Sequence, residues 1–77
     1  MKDIGYSGMD ALIQEWCIGR NGERDREIMR YRLLDGLTME EITTRYMMAH
    51  PERPISVDTV KRIIKGRTPQ ILKHYPG

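Results

Sequence analysis

The segment Val57-Asp58-Thr59-Val60-Lys61-Arg62-Ile63-Ile64-Lys65 carries the most chemistry per residue in the chain. Wound as a helix at ~3.6 residues per turn, it puts Val57, Asp58, Lys61, Arg62 and Lys65 on one side and Val60, Ile63 and Ile64 on the other. The polar set matches the edges of base pairs. Lys61 or Arg62 could donate to guanine O6 and N7, Asp58 could accept from cytosine N4, and Val57 could touch a thymine methyl. Lys65, Arg67 and Lys73 have the character of phosphate contacts, as have Arg53 and the free amides at a helix start at Thr38. Each has a plainer reading beside it. Asp58 and Arg62 are spaced i,i+4 and could simply pair on a solvated face. Lys65 and Arg67 near a helix end would be favourable there without any ligand.

Catalysis finds little support. His50 and His74 lie in different segments, neither at metal-ligand spacing from Cys17, and Glu40-Glu41 reads as a helix start rather than a carboxylate dyad. No glycine loop for phosphate occurs. The expectation is a binding protein without enzyme activity, cofactor or metal. Lone Cys17 gives no disulfide framework, and reads as a small buried apolar residue in a reducing cytoplasm. No apolar run approaches membrane length, and nothing resembles a signal peptide, so a cytoplasmic location is expected.

Net charge is +2, and its distribution says more than its sum. Residues 1–50 hold seven Lys/Arg against nine Asp/Glu; residues 51–77 hold six against two. Positive charge thus gathers on the third of the chain that holds the base-edge set, as phosphate binding requires. A solvated basic tail is the competing reading.

Those side chains need elements to position them. With 77 residues, one small domain is expected, residues 1–77, its core built without Phe and with a single Trp16. After a loose start over Met1–Gly8, the spacing of Met9, Leu12, Ile13, Trp16 and Cys17 predicts a helix over 9–18, capped by Ser7 or Gly8 and ended by Gly19. Gly19-Arg20-Asn21-Gly22 is a turn, with positive φ favoured at Asn-Gly. A second helix over Glu23–Asp35 has Ile28, Met29, Tyr31, Leu33 and Leu34 inward, a solvated salt-bridged face of arginines and acids, and Gly36 as its stop. Thr38 and Glu41 form a capping box opening a third helix to Met48, with Met39, Ile42 and Tyr46 inward, Glu41–Arg45 paired and Met47-Met48 packed. Two prolines make His50–Pro54 an extended connection. Ser56 caps the fourth helix, Gly66 stops it, and Thr68-Pro69 starts a short last helix over 68–75, before a Pro76-Gly77 ending. The fold class is all-α, four to five short helices with a helix-turn-helix.

The run Asp25–Ile42 resembles the C-terminal DNA-binding domain of bacterial sigma factors, region four, which reads the promoter −35 element: an Arg-Glu-rich helix, a Gly36-Leu37-Thr38 turn, then Glu41-Ile42. Ile55-Ser56-Val57-Asp58-Thr59-Val60-Lys61 is similar to that domain's recognition half. The likeness spans residues 23–66 and is shared with small sigma-like regulators of phages and mobile elements. It implies sequence-specific binding of double-stranded DNA and transcriptional regulation. Region-four domains also bind RNA polymerase, so the rival expectation is a protein-interaction module: a polymerase accessory factor or a phage inhibitor of a host protein. Trp16, the acidic first half and the long connection Ala49–Ile55 point that way. Thr43, where the family has a small residue, predicts a wider crossing of the third and fourth helices. A homodimer reading two half-sites is compatible with so small a footprint; the 9–18 helix would be its contact, or would cover the core, which the need to bury Trp16 favours.

Overall fold

A computed structural model describes residues 5–75, and the side chains from residue 8 onward. The described residues form four helices and no strand: α1 Gly5–Trp16, α2 Gly22–Leu33, α3 Met39–Ala49 and α4 Val57–Lys73. Part of the loose start expected for Met1–Gly8, and the ending at Pro76-Gly77, lie outside the described residues. Where residues 5–8 are described they are helical, so neither Ser7 nor Gly8 caps α1.

α2 and α4 are the centre of the fold. Each packs against the other and against both flanking helices, while α1 and α3 do not meet. The core is one cluster with a contribution from every helix: Ile13 and Cys17, Ile28 and Met29, Ile42 and Tyr46, then Val60, Ile63, Ile64 and Ile71. Trp16 stays at the margin of this core, half-buried and stacked on His74 with ring centroids 3.9 Å apart and planes 4° from parallel.

Three helix boundaries follow local chemistry. Thr38 Oγ1 accepts from the Glu41 amide and Glu41 Oε1 from the Thr38 amide, a complete capping box. Ser56 Oγ accepts from the Thr59 amide and starts α4. Gly36 takes φ 68° after α2, and the Leu37 amide returns to the Tyr31 carbonyl. Replacing either cap by alanine is expected to cost about 1 kcal/mol, read as a lower urea midpoint at unchanged slope.

Elsewhere the expectations need correcting. Asn21 keeps a negative φ; Gly19, at φ 101°, is the left-handed residue of the first turn. Gly22 is the first residue of α2 and is buried, with the Cys17 carbonyl just past α1 lying against it. A Cβ there would stand 2.7 Å from the Cys17 carbonyl oxygen. Gly22→Ala therefore forces two backbones apart, with an expected loss of about 1–3 kcal/mol in chemical unfolding.

The largest correction concerns α4. It does not stop at Gly66, which has ordinary helical φ, and there is no separate helix over 68–75; α4 runs for 17 residues through Pro69. Pro69 gives no amide to the Lys65 carbonyl, but Lys65 and Gly66 face water there. Burial of Ile71 and the anchoring of Arg67 hold the final turns on the core. Thr68 consequently caps nothing: its hydroxyl lies buried and unpaired within the helix.

Thr43 sits in the interior and donates its hydroxyl to the Met39 carbonyl at 2.8 Å, so its polarity is absorbed by α3 itself. Glu41 is engaged in the capping box and forms no pair with Arg45. Met47 and Met48 do not pack inward; they are 39% and 74% exposed.

Candidate nucleic-acid interface

Five arginines of the described chain, Arg24, Arg26, Arg30, Arg32 and Arg67, have partners that fix what they can do. Asp25 is 5% exposed, and Arg67 reaches it from α4 with Nε and a terminal nitrogen, both at 2.9 Å, while Arg24 Nε adds a contact at 3.2 Å. The remaining Arg67 donors go to the Trp16 and Ile18 carbonyls, at 3.2 and 3.0 Å. Arg26 donates to the Cys17 carbonyl at 2.9 Å. The carbonyls at the end of α1 are thus satisfied by guanidinium groups from α2 and α4, which also suit the negative end of that helix. Arg30 pairs with Asp10, and Arg32 donates to the Leu37 carbonyl. The arginine-acid face of α2 is therefore salt-bridged as expected, with Glu23 and Arg32 in water, and several of its arginines also brace neighbouring segments.

Cys17 belongs to this junction. It is fully buried, and burial raises its thiol pKa above the ordinary 9.0 against the lowering pull of Arg67. Reaction with iodoacetamide at neutral pH is expected to await unfolding, so modification should track the denaturation curve; rapid labelling of native protein would contradict this placement.

Against that background the outward face of α4 stands apart. Asp58, Lys61, Arg62 and Lys65 are exposed, Val57 half-exposed, and none of these side chains has a hydrogen-bond or ion-pair partner in the described structure. Asp58 and Arg62, free to pair at i,i+4, do not. The face is presented by a helix whose opposite side is locked into the core by Val60, Ile63 and Ile64. It is rigid, basic and available.

The structure separates the other expected contacts. Arg67 does not join this face, because the Asp25 carboxylate and two carbonyls occupy its guanidinium. Thr38 is a poor phosphate site: its amide and that of Glu41 are engaged in the capping box, and Glu40 and Glu41 put negative charge in the same turn. Arg53 is 60% exposed in the connection between α3 and α4, 4.0 Å from Glu52. It does face a shared space, a groove of about 850 Å³ beside the start of α4. Sequence reasoning missed Arg20 and Arg24 in that groove. The run Arg20 to Arg32 reads as an evenly charged stretch until the fold shows which of its members are already braced.

Among the described residues no group of histidine, cysteine and carboxylate side chains could hold a metal ion, and no helix is long and apolar enough to cross a membrane. His50 instead ties α3 to α2: its Nε2 lies 2.7 Å from Glu27 Oε1, whose other oxygen accepts from the Tyr31 hydroxyl at 2.9 Å. No family model, curated protein or solved structure matches the chain.

Proposed function

We propose that this protein binds double-stranded DNA sequence-specifically through the outward face of α4, as a sigma-like regulator of transcription. The observation that carries the reading is that α4 gathers three unpartnered cations on one face, whereas most arginines elsewhere are engaged and the exposed unpartnered ones, Arg20 and Arg45, lie off this helix. Lys61, Arg62 and Lys65 face water without partners, whereas Arg26, Arg30 and Arg67 are spent inside the fold. A helix about 10–12 Å across fits the roughly 12 Å major groove, so side chains on its outward face can reach base edges. In this reading Arg62 and Lys61 donate to guanine, Asp58 accepts from cytosine and Val57 touches a thymine methyl. Lys65 meets phosphate. Binding to a labelled duplex library should be retained at low salt and fall steeply as salt rises, because every phosphate contact releases counterions. No retained complex at low salt would overturn the proposal.

A second reading rests on Met47 and Met48, which expose flexible apolar surface at the end of α3 beside the long connection. It assigns that surface to a protein partner such as RNA polymerase. A pull-down from bacterial lysate with and without nuclease separates the two: DNA-bridged partners vanish on digestion and direct partners remain.

A further inference from the structure

We infer that the groove beside the start of α4 is a clamp for the DNA backbone, formed by Arg20, Arg24 and Arg53; this rests on the reading that α4 enters duplex DNA. The three arginines come from three places in the chain: the α1–α2 turn, the first turns of α2 and the α3–α4 connection. Arg20 and Arg24 are neighbours in sequence, but no local charge pattern groups Arg53 with them. The fold brings them to one concavity of about 850 Å³ whose floor includes Tyr46 and whose α4 wall is Ser56 and Thr59. Glu23 is the one carboxylate among its lining residues.

The groups are available to differing degrees. Arg20 is exposed and has no partner in the described structure. Arg53 touches only Glu52, at 4.0 Å, and both side chains are mostly in water, so the pair has little holding strength. Arg24 is fixed by the contact of its Nε with Asp25, which leaves both terminal nitrogens to donate. One guanidinium held by Asp25 beside two exposed ones in the same groove suits a run of successive phosphates better than a single small anion.

Position supports the same occupant. Thr59 and Arg62 are i,i+3 neighbours on α4, so the groove adjoins the edge of the face assigned to the bases. A helix seated in the major groove has a phosphate strand along each flank. The strand on the Thr59 side would run over the three arginines, which sit where negative charge arrives and not where bases are read.

The test compares two sets of variants on duplex DNA. Arg20→Ala with Arg53→Ala should weaken binding by the same factor on preferred and random duplexes, and should reduce the slope of log affinity against log salt by about 2, at ~0.9 per lost phosphate contact. Arg20→Lys with Arg53→Lys should keep most of the slope. Lys61→Ala with Arg62→Ala should instead lose preference among sequences while the slope contributed by Arg20 and Arg53 persists. An unchanged slope in the Arg20/Arg53 alanine variant, with the wild-type protein binding normally, would overturn the clamp and leave the α4 reading standing. Absence of duplex binding by wild type would overturn both. Thermal unfolding of each variant shows that exposed arginines were removed without loss of fold.

Discussion

Asp25→Ala is expected to destabilise the protein by about 3–5 kcal/mol, the usual consequence of stranding one partner of a buried ion pair. For a chain of this size the total is only roughly 4–12 kcal/mol at 0.05–0.15 kcal/mol per residue, so this single change approaches unfolding at ambient temperature. The reason lies in what Arg67 holds together. Its guanidinium joins Asp25 of α2 to the Trp16 and Ile18 carbonyls, and so ties the ends of three segments at one point. Without the carboxylate, a positive charge remains in a site where only 22% of the side chain reaches solvent. Arg67→Lys keeps the charge but loses the fork that makes simultaneous contacts, and should also lower the urea midpoint substantially. Arg67→Met, which removes the charge, should leave the salt slope on DNA equal to that of wild type under conditions where the variant is folded. A folded Arg67→Met protein with a slope lower by about 0.9 would return Arg67 to the DNA face. Replacing Asp25 and Arg67 together by leucine and methionine should cost less than Asp25→Ala alone, because no charge is then left unpaired; the remaining loss would report the α1 carbonyls.

What could be read from residue order was what local rules govern. Thr38 with Glu41, Ser56 before Val57 and Gly36 after Leu34 announce their caps through contacts spanning three to six residues. The inward stripe Val60, Ile63 and Ile64 announces itself by helical period. The failures that change the fold are long-range. Gly66 and Thr68-Pro69 look like a stop and a restart, and locally they are; the burial of Ile71 and the reach of Arg67 across 42 residues to Asp25 override them. Asp25 looks like any acid among arginines, and only α4 packing over α2 makes it interior. The candidate face was legible because it needs one helix and its period. The arginine groove was not, because Arg53 lies about thirty residues from Arg20 and Arg24 and meets them only in the folded chain.

Lys61→Ala with Arg62→Ala is expected to remove most sequence preference while leaving the protein folded and still able to bind DNA weakly. Both side chains are exposed and unpartnered, so their loss breaks no internal contact, and surface changes of this kind typically move stability by less than about 0.5 kcal/mol. Each well-placed bidentate contact discriminates among bases by about 1–3 kcal/mol, so two would separate a preferred duplex from a random one by roughly 30-fold or more. The double variant should compress that ratio toward one. Lys65→Ala should behave differently: equal weakening on all duplexes and a slope lower by about 0.9, the mark of a phosphate contact. Asp58→Ala gives the sharper check, since it removes negative charge. Phosphate repulsion at that point predicts tighter binding to every sequence, whereas acceptance from cytosine N4 predicts a selective loss at one base pair. A double variant that keeps full preference would mean that α4 does not read bases through this face, however well placed its side chains are for the task.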